Sequence, residues 1–274
     1  MKKAIDTILI VLILLTGLSL VLFPTVSNYL SEKNSSQAID RYAWTVDGVH
    51  DEAALRKAEE YNAALYKSSI DSEPMSVSGS DYEDTLNVTG DGMIGYIEIP
   101  SIDCRLPIYH GTDAVTLESY VGHLPSSSLP VGGESTHCVL TGHTGMPSAK
   151  LLSDLDAVKV GDRFTVTTLD LKLTYEVENI TVVKPDETEA FRILRGEDLC
   201  TLVTCTPYGI NTHRLLVRGR RISGADTEQE VQNSSWEDIL YELTTNPVMI
   251  ALAALLLILM ITYAATHIIR IKRN

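Results

Sequence analysis

The chain has 274 residues, 45% of them hydrophobic, and a formal net charge of −14. So acidic a balance excludes nucleic acid as a partner, because phosphate backbones attract basic faces. The length allows one core of moderate size plus further segments. Two stretches account for the high hydrophobic content.

The first stretch, residues 7–23, reads TILIVLILLTGLSLVLF and follows Lys2 and Lys3. The second, residues 247–266, precedes a tail carrying His267, Arg270, Lys272 and Arg273. Each is long enough to cross a hydrocarbon core of about 30 Å as a helix. Both basic flanks are the outer ends of the chain. The positive-inside rule then puts residues 1–6 and 267–274 in the cytoplasm and residues 24–246 outside, in a multi-pass protein held by membrane lipid. No small-x-small cleavage site follows the first stretch, which continues Pro24-Thr25-Val26-Ser27, so an uncleaved anchor is expected rather than a signal peptide.

Residues 24–68 form a helical extension. Ile39, Tyr42, Ala43 and Val46 fall at helical spacing, as do Ala54, Leu55, Ala58, Tyr61, Asn62 and Leu65, and Gly48 divides the run in two. Residues 69–92 are rich in Ser, Asp and Gly and read as a long loop, a functional segment or a linker. From Met93 short apolar runs recur between turn signals: 93–99, 104–109, 137–141, 163–168, 171–177, 179–183, 199–205 and 213–219. About eight short strands rich in β-branched residues signal a barrel or a sandwich over residues 93–222. Short helices are expected around 114–120 and 148–155. Residues 223–246 are polar and acidic and read as a linker.

The four cysteines are Cys104, Cys138, Cys200 and Cys205. An outside location permits disulfides, and Cys104–Cys138 is the pair to test first, but a domain of this size folds without them and free thiols are expected. Cys205 ends an apolar strand, at the turn Thr206-Pro207-Tyr208-Gly209, and Arg214 opens the next strand. If the two strands pair, thiol and guanidinium face one pocket. A nucleophilic thiol needs a neighbouring base. Of seven histidines, His143 lies between glycines in Thr141-Gly142-His143-Thr144-Gly145, on a loop where its ring can be exposed; His213 is the rival. The spacing lacks Cys-x-x-Cys and His-Glu-x-x-His, so no zinc site is expected.

The segments TGHTG, TLVTCTPYGINTHRLLVRG, GYIEIPSIDCRLPIYHGT and GHLPSSSLPVGG resemble sortases, and more narrowly class C sortases, the pilus-assembling transpeptidases of Gram-positive bacteria. The resemblance covers about residues 30–222. It implies an eight-stranded sortase-type β-barrel with short helices, preceded by the helical extension and flanked by two terminal transmembrane helices. It assigns Cys205 as nucleophile, His143 as general acid and base, and Arg214 as the group holding substrate backbone or oxyanion. No metal or organic cofactor is implied. The implied reaction cleaves an LPxTG-like sorting motif between Thr and Gly, forms a thioacyl enzyme, and passes the acyl group to a lysine of a pilin subunit. The alternatives are attachment to a lipid-linked peptidoglycan precursor and, further off, a non-catalytic tethered ectodomain. Class C sortases commonly carry an Asp-Pro-aromatic lid ahead of the barrel. Here Asp71 and Pro74 are not adjacent, and Met75 stands where the aromatic ring is expected; these three residues are the candidate lid.

Overall fold

The computed structural model describes residues 2–48, 51–71 and 79–222. The expected second membrane span, its linker and the tail lie outside the described residues. So do Pro74 and Met75 of the candidate lid.

Helix α1 runs Lys2–Val46. It begins in one compact unit, up to Ser27, and continues into a second from Asn28, which holds the elements below. From Leu12 it is long and apolar enough to cross a membrane. The later turns have a different face. Ile39, Tyr42 and Val46 recur at 3–4 residue spacing and are buried, so this part packs as an amphipathic helix. The Tyr42 hydroxyl donates to the Ile94 carbonyl (3.0 Å) and accepts from the Leu169 amide (2.9 Å). Gly48, at φ +69°, lets the chain turn before α2, Glu52–Asp71. Ala58, Tyr61, Asn62 and Leu65 of α2 are buried. Asn62 exchanges two hydrogen bonds with the backbone of Leu129 (3.1 and 2.7 Å), which satisfies a polar side chain that burial would otherwise penalise.

The span 69–92, expected as a loop, is partly helical: α2 reaches Asp71 and α3 occupies Gly79–Asp84. The reason is tertiary. Tyr82 of α3 is buried, its hydroxyl lies 2.8 Å from His123 Nδ1, and it accepts from the Gly111 amide (3.1 Å).

The strands are β1 Met93–Ile99, β2 Cys104–His110, β3 Val121–His123, β4 Thr136–Thr141, β5 Arg163–Thr168, β6 Leu171–Val183, β7 Asp198–Thr206 and β8 His213–Arg221. They close into a barrel in the order β1-β2-β3-β4-β7-β8-β6-β5. The β2–β3 and β4–β7 pairs are parallel and the others antiparallel.

Eight strands were expected and eight are present, but they are not the same eight. The runs 171–177 and 179–183 are one strand, β6, broken in register between Val177 and Asn179 where it pairs with β8. The extra residue, Glu178, accepts from Arg218 Nε and Arg220 Nε at 2.8 Å each. A charged bulge thus mimics a turn in the sequence pattern. The strand the pattern did not show is β3, three residues held beside β2 by the crossover helix α4, Ala114–Ser119. A Cβ on Gly122 would lie 2.3 Å from the Gly111 carbonyl oxygen, so only glycine allows this approach. The helix expected over 148–155 is instead a set of turns ending in a 3-10 turn, Leu155–Ala157. Leu151 sits at φ +44°, which ends any right-handed helix there.

The barrel interior holds Leu140, Cys138, Cys200, Leu202, Leu215 and Val217. The alternate residues Val139, Val203 and Leu216 form a second apolar cluster with Leu124, Val183 and Phe191. Period-two alternation therefore gives β4, β7 and β8 two apolar faces. The second of these floors the site.

Candidate active site

Cys205 is two residues beyond Val203 on β7 and shares its face. Its direct cross-strand partner on β8 is Arg214. Thiol and guanidinium therefore start from neighbouring positions on one side of the sheet, because residues opposed across an antiparallel pair point the same way. The Thr206–Pro207 peptide in the turn between them is cis.

His143 comes from the loop after β4, and that loop is tied to β7 by two hydrogen bonds. The Gly142 amide donates to the Val203 carbonyl (3.0 Å), and the buried Thr204 hydroxyl donates to the Gly142 carbonyl (2.8 Å). Beneath it, the Leu152 amide donates to the His143 carbonyl (3.2 Å) and the Gly145 amide donates to Ser153 Oγ (3.1 Å). Gly142 is close-packed on Leu152, since a Cβ there would lie 3.0 Å from the leucine side chain. The segment 148–155 is thus a prop under the histidine loop. Its sequence pattern suggests only a helix, so its supporting role was not legible beforehand.

Cys205, His143 and Arg214 line one cleft of about 280 Å³ on the second apolar face. Its lining includes Leu117, Leu124, Val183 and Phe191. All three side chains are half-buried, so they border both the apolar floor and solvent. Arg214 Nη1 donates to the carbonyls of His213 (3.1 Å) and Asn211 (3.4 Å). These bonds occupy at most two of the five guanidinium donors. Helix α4, which brings Leu117 to the cleft, is capped by Asp113. The carboxylate accepts from the Thr116 and Val115 amides, and these bonds hold it below the usual carboxylate range.

Among the described residues the other histidines and thiols lie outside this cleft. His137 is buried between the Arg192 carbonyl (2.9 Å) and Thr201 Oγ1 (2.7 Å), and burial lowers its basicity. His123 is buried against Tyr82 and the Ser128 carbonyl. His213 pairs with Thr212 Oγ1 (3.0 Å) and does not line the cleft. Cys138 and Cys200 are opposed on the parallel β4–β7 pair inside the barrel. Burial pushes the Cys200 thiol well up and the Cys104 thiol up to about 12, so neither supplies a thiolate. All four cysteines are free thiols. Among the described residues no three His, Cys, Asp or Glu side chains are placed to hold a metal ion. Of the candidate lid, Asp71 is the last residue of α2, and Pro74 and Met75 lie outside the described residues.

Residues 97–222 match the Sortase domain family. Sortase D of Bacillus subtilis is 30% identical over 132 residues, 47% of this chain; the chain spans 64% of that relative's length. Among solved structures, sortase C1 from Streptococcus agalactiae is 44% identical with a TM-score of 0.63, covering 69% of this chain and 100% of that one. The sortase C of Clostridium perfringens, solved with the C-terminal cell wall sorting motif, is 40% identical with a TM-score of 0.61, covering 69% and 100%. With a closed eight-stranded barrel, a thiol, an imidazole and a guanidinium in one cleft, and class C neighbours matched along their whole length, the chain belongs to the sortase family of cysteine transpeptidases.

Proposed function

We propose that this sortase polymerises pilin subunits by joining a sorting motif of one subunit to a lysine of the next. The observation that carries the reading is the single cleft shared by Cys205, His143 and Arg214, with an apolar floor beside them. That floor suits the Leu-Pro part of an LPxTG-like motif, since Leu124, Val139, Val203 and Phe191 bury aliphatic groups favourably. A clostridial sortase C solved with a sorting motif supports this substrate class.

The Cys205 thiolate attacks the Thr carbonyl carbon of the motif. A C–S bond forms, the carbonyl oxygen becomes an oxyanion, and Arg214 donates to it. The C–N bond to Gly breaks as His143 protonates the leaving amine. The thioester then meets a neutral lysine amine. The C–N bond forms, His143 takes the amine's proton, and sulfur leaves as the thiolate. A thioester suits the task because amines attack it readily while the apolar walls limit water. The N-terminal helix, and a second span at residues 247–266, would hold the barrel on the outer face of the membrane with both termini inside.

The test is mass spectrometry of products formed by the full chain from a sorting-motif peptide offered a lysine peptide and a peptidoglycan-precursor stem peptide. A motif–lysine isopeptide with Gly released supports pilin polymerisation. A joint to the stem peptide alone would move the assignment to cell-wall anchoring. Turnover undiminished in Cys205→Ala would overturn the catalytic assignment.

A further inference from the structure

The cleft walls carry one further pair of charges that the reaction above does not use. They stand on the loop after β6, where Lys184 and Glu187 both line the cleft. Their backbones are joined by the Glu187 amide donating to the Lys184 carbonyl (3.1 Å), so both positions are set by one tight turn. Both side chains are exposed. Arg214 is the other permanent cation in the cleft. Among the described residues lining it, Glu187 is the sole carboxylate.

We propose that Glu187 is the docking carboxylate for the acceptor lysine. The inference rests on the transpeptidase reading. At neutral pH a lysine amine arrives as an ammonium. Two fixed cations already stand in the cleft, and like charges in a partly desolvated groove repel. The ammonium therefore enters along the wall where the carboxylate offsets them. That wall is the end of β6 and the loop after it, which carry Val183 and Phe191 of the apolar face, so the aliphatic stem of the lysine rests on apolar surface while its head meets Glu187. The docked ammonium gives one proton to solvent to become the neutral nucleophile. Its nitrogen attacks the thioester carbon, the second proton passes to His143, and the C–S bond breaks with the electron pair on sulfur. The carboxylate concentrates and orients the acceptor; it takes no proton. Lys184 opposes it and sets how selectively a cation is admitted.

The experiment uses the full-length chain in detergent micelles, a sorting-motif peptide as donor and two nucleophiles in parallel. One is Nα-acetyl-lysine amide, cationic at pH 7. The other is hydroxylamine, which is neutral at that pH. Each product is normalised to thioacyl enzyme formed in the same mixture. Glu187→Gln is expected to raise the apparent KM for the lysine acceptor about two- to fivefold, the upper part of the range of an exposed ion contact, with the ratio of hydroxamate to thioacyl enzyme kept. Glu187→Lys should deepen the loss, Lys184→Gln should lower the lysine KM, and the wild-type preference should weaken as salt rises. An unchanged lysine KM in both Glu187 variants would overturn the proposal. A parallel loss of hydroxamate would also overturn it, by showing a general effect on the loop. Failure of the wild-type chain to form any hydroxamate would overturn the transpeptidase reading beneath it.

Discussion

The hydroxyl of Thr204 offers the sharpest test of how the site is held. Thr204→Val keeps shape, β-branching and strand preference and removes only the donor. The lost bond is the 2.8 Å contact to the Gly142 carbonyl. Thr204 is 3% exposed, so no water replaces it and the carbonyl is left unsatisfied. Such a loss costs about 1–3 kcal/mol, which for a domain of this size lowers the melting midpoint by roughly 2–10 °C. The second tie, from the Gly142 amide to Val203, remains, so the loop shifts rather than detaches. His143 is the next residue. A misplacement of about 1 Å costs up to ~100-fold in rate, and with one tie retained about tenfold in kcat is expected. The assay is hydroxamate formation by the full chain, alongside thermal melting. Thr204→Ser restores the donor and should restore kcat while losing some stability through its missing methyl. Wild-type kcat in Thr204→Val would refute the claim that this hydroxyl positions the histidine.

Arg214→Lys keeps the charge but loses the planar fork, so kcat for donor cleavage should fall roughly 100-fold; a rate within about threefold of wild type would show that the guanidinium's geometry is not needed to hold the oxyanion. The ring nitrogens of His110 are shut from solvent without a hydrogen-bond partner. Burial first, and the nearby His123 second, push its pKa down to about 4; backbone groups of Thr85 and Gly92 oppose the shift but lie outside bonding geometry. The groups facing it include Tyr82 edge-on at 4.8 Å and Asp84. A base whose folded pKa lies below its unfolded value of about 6.5 binds fewer protons when folded. Its stabilising effect is therefore complete above pH 6.5 and is lost as pH falls toward 4. His110→Phe should flatten the melting-temperature profile across that window; an unchanged slope would show that His110 is protonated in the folded state.

The membrane-length first helix, the buried faces of α1 and α2 and seven of the eight strand regions were legible in the sequence, because each rests on local chemistry: apolar run length or periodicity. The three candidate catalytic residues were singled out there by residue type and position together with the sortase resemblance, and they line one cleft. Tertiary contacts decided the rest. β3 is a strand because β2 and the Gly111 carbonyl close around Gly122. α3 folds over the barrel because Tyr82 finds His123 and Gly111. Segment 148–155 is a prop and not a helix because Leu152 packs under Gly142 while Leu151 turns left-handed. The meeting of Cys205 and Arg214 needed only the pairing of adjacent strands. The approach of His143, 62 residues before the thiol in sequence, needed the parallel β4–β7 pair, the Thr204 hydroxyl and the closed barrel. Those contacts join residues far apart in the chain, and no local pattern encodes them.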